Sequence, residues 1–127
     1  MKLLRTALAA ALAAAASLAH ALTIVPYNAD TVAKAMKQGA PVVLHFRADW
    51  CPTCRVQDKV LQQLKAEPGL DVTVFDVNYD KSAELKKQLG VEVQSTFIAY
   101  HGNTERTRSA GKIEAGEIKS VLQAALR

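Results

Sequence analysis

Cysteine is scarce in this chain of 127 residues: there are two, Cys51 and Cys54, three positions apart. A disulfide framework in a small secreted domain uses four or more cysteines that close long loops, so that architecture is excluded. A bridge across so short a loop would restrict the unfolded chain little, which makes the pair a poor staple. A zinc site wants four ligands, and no further Cys or His stands near the pair at ligand spacing. The pair reads as chemical rather than structural.

Charge of one sign is also lacking. The formal net charge is +4, too mild to argue for a nucleic-acid partner. Long apolar runs are missing beyond the N-terminus, as are repeats and low-complexity tracts. The one apolar run, Ala7 to Leu18, is about 12 residues and short for a membrane span. It follows Lys2 and Arg5 and ends in Ala19-His20-Ala21, the charge, apolar run and small residues of a secretory signal. An amphipathic helix is the rival reading, but the run has no polar face. The expectation is a cleaved signal over residues 1–21, of bacterial type, and a periplasmic location. Lys2 and Arg5 leave with it, taking the net charge from +4 to +2. Residues 22–127 are then one small soluble domain.

Along that domain, Thr23 to Val25 reads as a short strand. Asp30 is placed to cap a helix carrying Val32, Ala35 and Met36 and ending near Gly39. Pro41 opens the buried strand Val42-Val43-Leu44-His45-Phe46. The helix after Cys51 shows Val56, Val60, Leu61 and Leu64 at helical spacing, with Pro68-Gly69 to stop it. Val72 to Val77 reads as a second buried strand, and Lys81 to Leu89 as a short helix closed by Gly90. Thr96 to Tyr100, the turn His101-Gly102-Asn103 and the polar Thr104 to Ser109 form a hairpin with an edge strand. A last helix carries Ile118, Val121, Leu122 and Ala125. The order is βαβαβ then ββα, an α/β domain with a parallel core and an antiparallel addition.

The segment Phe46-Arg47-Ala48-Asp49-Trp50-Cys51-Pro52-Thr53-Cys54-Arg55 resembles the active-site segment of thioredoxins. Phe75-Asp76-Val77-Asn78 is similar to the family's next strand, and Gly111, Ile113 and Gly116 fall where the family starts its last helix. The resemblance spans residues 22–127. It implies a thioredoxin fold, a central mixed sheet flanked by helices. It also implies thiol–disulfide exchange with a redox-active Cys51–Cys54 disulfide and no other cofactor. Cys51, at a helix N-terminus, would be the exposed attacking thiolate, stabilised by free N–H groups and the helix dipole. Cys54 would be the buried resolving thiol. Pro52 suits the first helical position. Trp50 would shield the site and meet a partner, or else pack in the core. Arg47 and Arg55 read as solvated face or as groups that favour the thiolate.

The chain departs from the family at three places. His45 stands where thioredoxins carry a buried acid beneath the second cysteine. It would accept a proton there, or sit neutral in the core. Val74 replaces the nearby lysine, so no acid–lysine pair operates. Ser95, in Val93-Gln94-Ser95-Thr96, falls at the cis-proline position, where a cis bond before serine costs about 2.5–4 kcal/mol. A trans or strained bond is the expectation, with Ser95 and Thr96 next to the partner-binding surface. Ser95 would donate to a sulfur, or open room for a metal. Lys59 replaces a helix-kinking proline. Trp50, Pro52, Thr53, Ser95 and Thr96 are the candidate substrate-binding or tuning residues.

Cys-Pro-Thr-Cys differs from the Cys-Gly-Pro-Cys of cytosolic reductants, yet there is no room for the inserted helical domain of oxidising relatives. The functional expectation is therefore a monomeric periplasmic reductant or relay. It would act on proteins with thiols or disulfides and be fed by an inner-membrane thiol carrier, since that compartment holds no soluble reducing buffer. The rival is a binding module that holds Cu(I) or half of an iron–sulfur cluster on the cysteine pair.

Overall fold

The computed structural model describes residues 21–127. The expected signal segment lies outside the described residues except for Ala21, its final residue. Five strands and four helices follow: β1 (Thr23–Pro26), α1 (Ala29–Lys37), β2 (Pro41–Arg47), α2 (Pro52–Leu64), β3 (Thr73–Asn78), α3 (Ala83–Leu89), β4 (Thr96–His101), β5 (Thr104–Ala110) and α4 (Ala115–Ala124). The sheet order is β1-β3-β2-β4-β5. β3 runs parallel to β1 and β2, while β4 is antiparallel to β2 and to β5. This is the α/β arrangement read from the sequence, with the polar β5 at the edge as expected. No described helix is long and apolar enough to cross a membrane.

The alternation of β2 divides its apolar side chains between two core layers. Val43 joins Val60, Leu61, Leu64, Phe97, Ile118 and Leu122 under α2 and α4. Val42, Leu44 and Phe46 join Val32, Phe75, Val77 and Ile98 on the other face, against residues of α1 and α3. At about 25 cal/mol per Å² of apolar surface, a strand buried on both faces is the natural spine of the domain. Its C-terminal end is where the chain leaves the core and enters the cysteine segment.

Three local readings are corrected. Asn28, not Asp30, caps α1: its side chain accepts from Thr31 N. Asp30 lies in the first turn, where its charge still favours the helix dipole. α2 ends at Leu64, ahead of Pro68-Gly69, because the chain tightens there, with Ala66 N–H donating to Gln63 O and Glu67 N–H to Leu64 O. Val56 is 41 % exposed, and the buried stripe of α2 is Gln57, Val60, Leu61 and Leu64. Gly90 closes α3 with φ +66, as the sequence suggested.

Candidate active site

Cys51 and Cys54 are joined as a disulfide, with Cα atoms 5.2 Å apart. The bridge sits where β2 hands over to α2. Cys51 is the N-cap of α2, its sulfur accepting from Cys54 N at 3.1 Å, and Pro52 opens the helix. An N-cap sulfur faces amide hydrogens that no carbonyl inside the helix can reach. A negative charge formed there on reduction is stabilised by those donors and by the helix dipole.

Both cysteines are covered: Cys51 is 1 % and Cys54 0 % exposed. The expected exposure of Cys51 is therefore not met in this disulfide-bonded state. The bridge pulls its sulfur towards Cys54, and both residues cluster with Ala48 under the ring of Tyr79. Trp50, by contrast, is 56 % exposed, so it is not core packing. Its indole N–H donates to Asp80 Oδ2 at 2.8 Å, which fixes the ring's rim beside the bridge. Pro52 is exposed and Thr53 half-buried.

Arg47 and Arg55 part company. Arg55 is exposed and donates to Asp49 O. Arg47 is not a solvated residue. Its guanidinium meets Asp49 and Asp58 at 2.9 Å and Asp76 at 3.9 Å, with 17 % of the side chain exposed. Burial raises the pKa of Asp76, while Arg47 pulls it down and Asp58 and Asp49 push it up again.

His45 is buried at 1 % exposure and stacks on Phe97 with ring centroids 4.1 Å apart. Its Nε2 meets Gln57 Oε1 at 2.8 Å. The orientation of that amide follows from its other contacts. Gln57 Nε2 lies 3.1 Å from Ser95 O and 2.8 Å from Lys112 O, and two carbonyls accept only from an amino group. Gln57 Oε1 therefore faces His45, and His45 Nε2 carries the proton. Burial pushes the pKa of His45 down to about 4, beyond what the Gln57 bond and the Asp58 charge restore. Near neutral pH the ring is uncharged, so the geometry favours the reading of His45 as a neutral core histidine. Val74, at the vacated lysine position, is fully buried.

No peptide bond among the described residues is cis. The bond before Ser95 is trans, and Ser95 is the one non-glycine residue among them at positive φ, +66. That conformation costs a serine roughly 1–3 kcal/mol and persists where surrounding contacts over-determine it. The contacts are plain. Ser95 N–H donates to Phe46 O at 2.8 Å, and Ser95 O accepts from Gly111 N at 3.1 Å as well as from Gln57. Thr96 Oγ1 donates to Val93 O at 2.7 Å, and Tyr79 OH donates to Glu92 O at 2.9 Å.

Sequence reasoning missed Gln57, Tyr79, Asp58 and Asp80. Gln57 had a legible signal: it occupies the apolar stripe of α2 in register with Val60, Leu61 and Leu64. A polar residue there needs buried partners. Tyr79 and Asp80 become visible only when the turn after β3 is laid beside the cysteine segment, and Asp58 only when α2 is laid beside Arg47 of β2. Among the described residues, no three or more His, Cys, Asp or Glu side chains come together as a metal site.

Comparison with known proteins places this arrangement. The thioredoxin family profile matches residues 21–124. A thioredoxin H-type of Brassica campestris is 33% identical over 82 residues, 61% of this chain and 66% of that protein. The thiol:disulfide interchange protein DsbE of Escherichia coli is 39% identical over 68 residues, half of this chain and 33% of its own length. The chain thus spans about two thirds or less of these curated relatives. Among solved structures, Trxlp from Edwardsiella tarda superposes with a TM-score of 0.73 and 33% identity, covering 79% of this chain and 98% of that one. Thioredoxin O2 from Arabidopsis thaliana, at 21% identity and a TM-score of 0.65 over 82% of this chain and 93% of that one, shares the fold. The matched span contains the bridged Cys51–Cys54 pair at its helix N-terminus, and the chain belongs to the thioredoxin family, with a thiol–disulfide oxidoreductase domain of that type.

Proposed function

We propose that the protein is a periplasmic thiol–disulfide oxidoreductase that works as a monomeric reductant or relay on protein partners. The observation that carries the reading is the disulfide capping α2 beneath an exposed Trp50. In the reducing direction, a Cys51 thiolate attacks one sulfur of a partner disulfide. A mixed disulfide forms and the partner's first thiolate leaves. The Cys54 thiolate then attacks Cys51 Sγ, the second partner thiolate leaves, and the Cys51–Cys54 bond closes. Two electrons pass to the partner, whose thiolates take up the protons the cysteines lost. The bridged Cys51–Cys54 pair is the form this cycle would leave. In this reading Cys51 is the nucleophile and Cys54 the resolving residue. Trp50, Pro52 and Thr53 form the rim a partner meets, with Ser95 and Thr96 buried behind it at 7 % and 6 % exposure.

The N-terminal signal features support export, and the likeness to a protein named for thiol:disulfide interchange agrees with the chemistry. An inner-membrane thiol carrier is then the source of electrons. Two measurements test the proposal. In a periplasmic extract the N-terminus should begin at Leu22, and recovery of the uncleaved chain in the cytosol would refute the location. A reduction potential of roughly −270 to −230 mV fits a reductant, whereas about −120 mV would make the protein an oxidant.

A further inference from the structure

We infer that Gln57 is a positioning residue, whose amide holds the Val93–Ser95 segment in the shape that a partner protein's chain rests on during disulfide exchange. The inference rests on the oxidoreductase reading above. It starts from a juxtaposition. Gln57 lies one helical turn after Cys54 and is fully buried. All three of its polar contacts are inside the protein: His45 Nε2, Ser95 O and Lys112 O. One side chain therefore ties the helix carrying the bridge to two loops and to the central strand.

Ser95 needs such a tie. A serine at φ +66 has no ring to hold its backbone, and a left-handed residue returns to the extended region unless its neighbours forbid it. Gln57 grips its carbonyl from α2, while Gly111 N–H grips the same oxygen from the end of β5. At the other end of the segment, Tyr79, which packs on the cysteines, fixes Glu92 O. Between these anchors stands Val93, 51 % exposed. The pinned segment thus meets the end of β2 that leads into the cysteines, through Ser95 N–H to Phe46 O, and reaches the bridge through Tyr79. A partner chain that reaches Cys51 at this end of the sheet lies against that segment. A small disulfide need not.

His45 sets the direction of the grip. Because its Nε2–H donates to Oε1, the amino group of Gln57 is turned towards the carbonyls of Ser95 and Lys112. A proton on Nδ1 instead would leave Nε2 as an acceptor, reverse the amide and present an oxygen to those carbonyls.

The test compares two substrates. Gln57→Met keeps the volume and removes the donors. With insulin as the protein disulfide, KM should rise on the order of tenfold. The rate towards a small aromatic disulfide should stay within about twofold and the reduction potential should not move. Equal loss on both substrates, or no loss on insulin, would overturn the inference. If Gln57→Met fails to fold, nitrogen NMR of the wild-type protein decides. His45 should show a protonated Nε2 and a bare Nδ1 from about pH 8 to pH 5, and a proton on Nδ1 would overturn the proposed grip. A wild type inert towards insulin but with the Nε2–H form of His45 would sink the functional reading and not the geometry.

Discussion

His45 and Arg47 lie two residues apart on one face of β2, and their partners Gln57 and Asp58 are consecutive on α2. The two pairs bridge the same strand to the same helix, yet one is neutral and dry and the other charged and wet. His45 and Gln57 are at most 1 % exposed, whereas the Arg47 and Asp58 side chains keep 17 % and 36 %. Taking a charge out of water costs more than one hydrogen bond returns, so the deeper pair gives up its charge. At the strand's end solvent reaches the guanidinium, and three carboxylates gather around it. Neighbouring strand-to-helix contacts yield a neutral anchor or a screened ion pair as depth and partner change, even with Asp58 Oδ1 only 4.0 Å from His45 Nδ1.

The largest expected effect on this contrast comes from pH. The His45 pKa falls from 6.5 to about 4 on folding, so between those values the unfolded chain binds more protons than the folded one. Its contribution is fully favourable above about pH 6.5 and is lost as the pH drops towards 4, by about 3 kcal/mol in all. Denaturant midpoints for the wild type and His45→Asn over that range should differ in slope. Parallel curves would mean that His45 is charged in the folded protein.

A smaller loss, about 2 kcal/mol, is expected for Gln57→Leu, which leaves His45 Nε2–H and two carbonyls with one partner fewer. Urea unfolding at pH 7.5 measures it, and a change under about 0.5 kcal/mol would show that water takes over the contacts. On the wet side, Asp58→Asn should cost no more than about 0.5 kcal/mol, because the pair is partly exposed and screened. That small difference should shrink further in molar salt. A loss as large as that of Gln57→Leu, unmoved by salt, would erase the distinction between the pairs. The mildest probe is Asp80→Ala. It should leave stability within about 0.5 kcal/mol, yet free the Trp50 indole and lower the fluorescence anisotropy of the chain's one tryptophan.

These pairs also show what the sequence could and could not reveal. The run from Val42 to Phe46 and the spacing of Val60, Leu61 and Leu64 express burial directly, so strands, helices and their order were readable from periodicity. The cysteine pair was readable because it stands between that strand and that helix with Trp50 before it. Polar partnerships were not, since they join residues far apart in the chain. Nothing local to Ser95 tells that Gln57 reaches its carbonyl, and nothing local to Arg47 tells that Asp58 and Asp76 surround it. Cap choice failed for a similar reason: Asn28 and Asp30 both suit a helix start, and the turn after β1 decides between them. The depth of Cys51 depended on Tyr79, a residue 28 positions away.

The central claim is that Cys51 attacks and Cys54 resolves, and mass spectrometry of trapped mixed disulfides tests it most directly. Reduced Cys54→Ser incubated with insulin should accumulate an adduct on Cys51, while Cys51→Ser should accumulate essentially none on Cys54. Equal adducts on both variants, or none on either, would contradict the account.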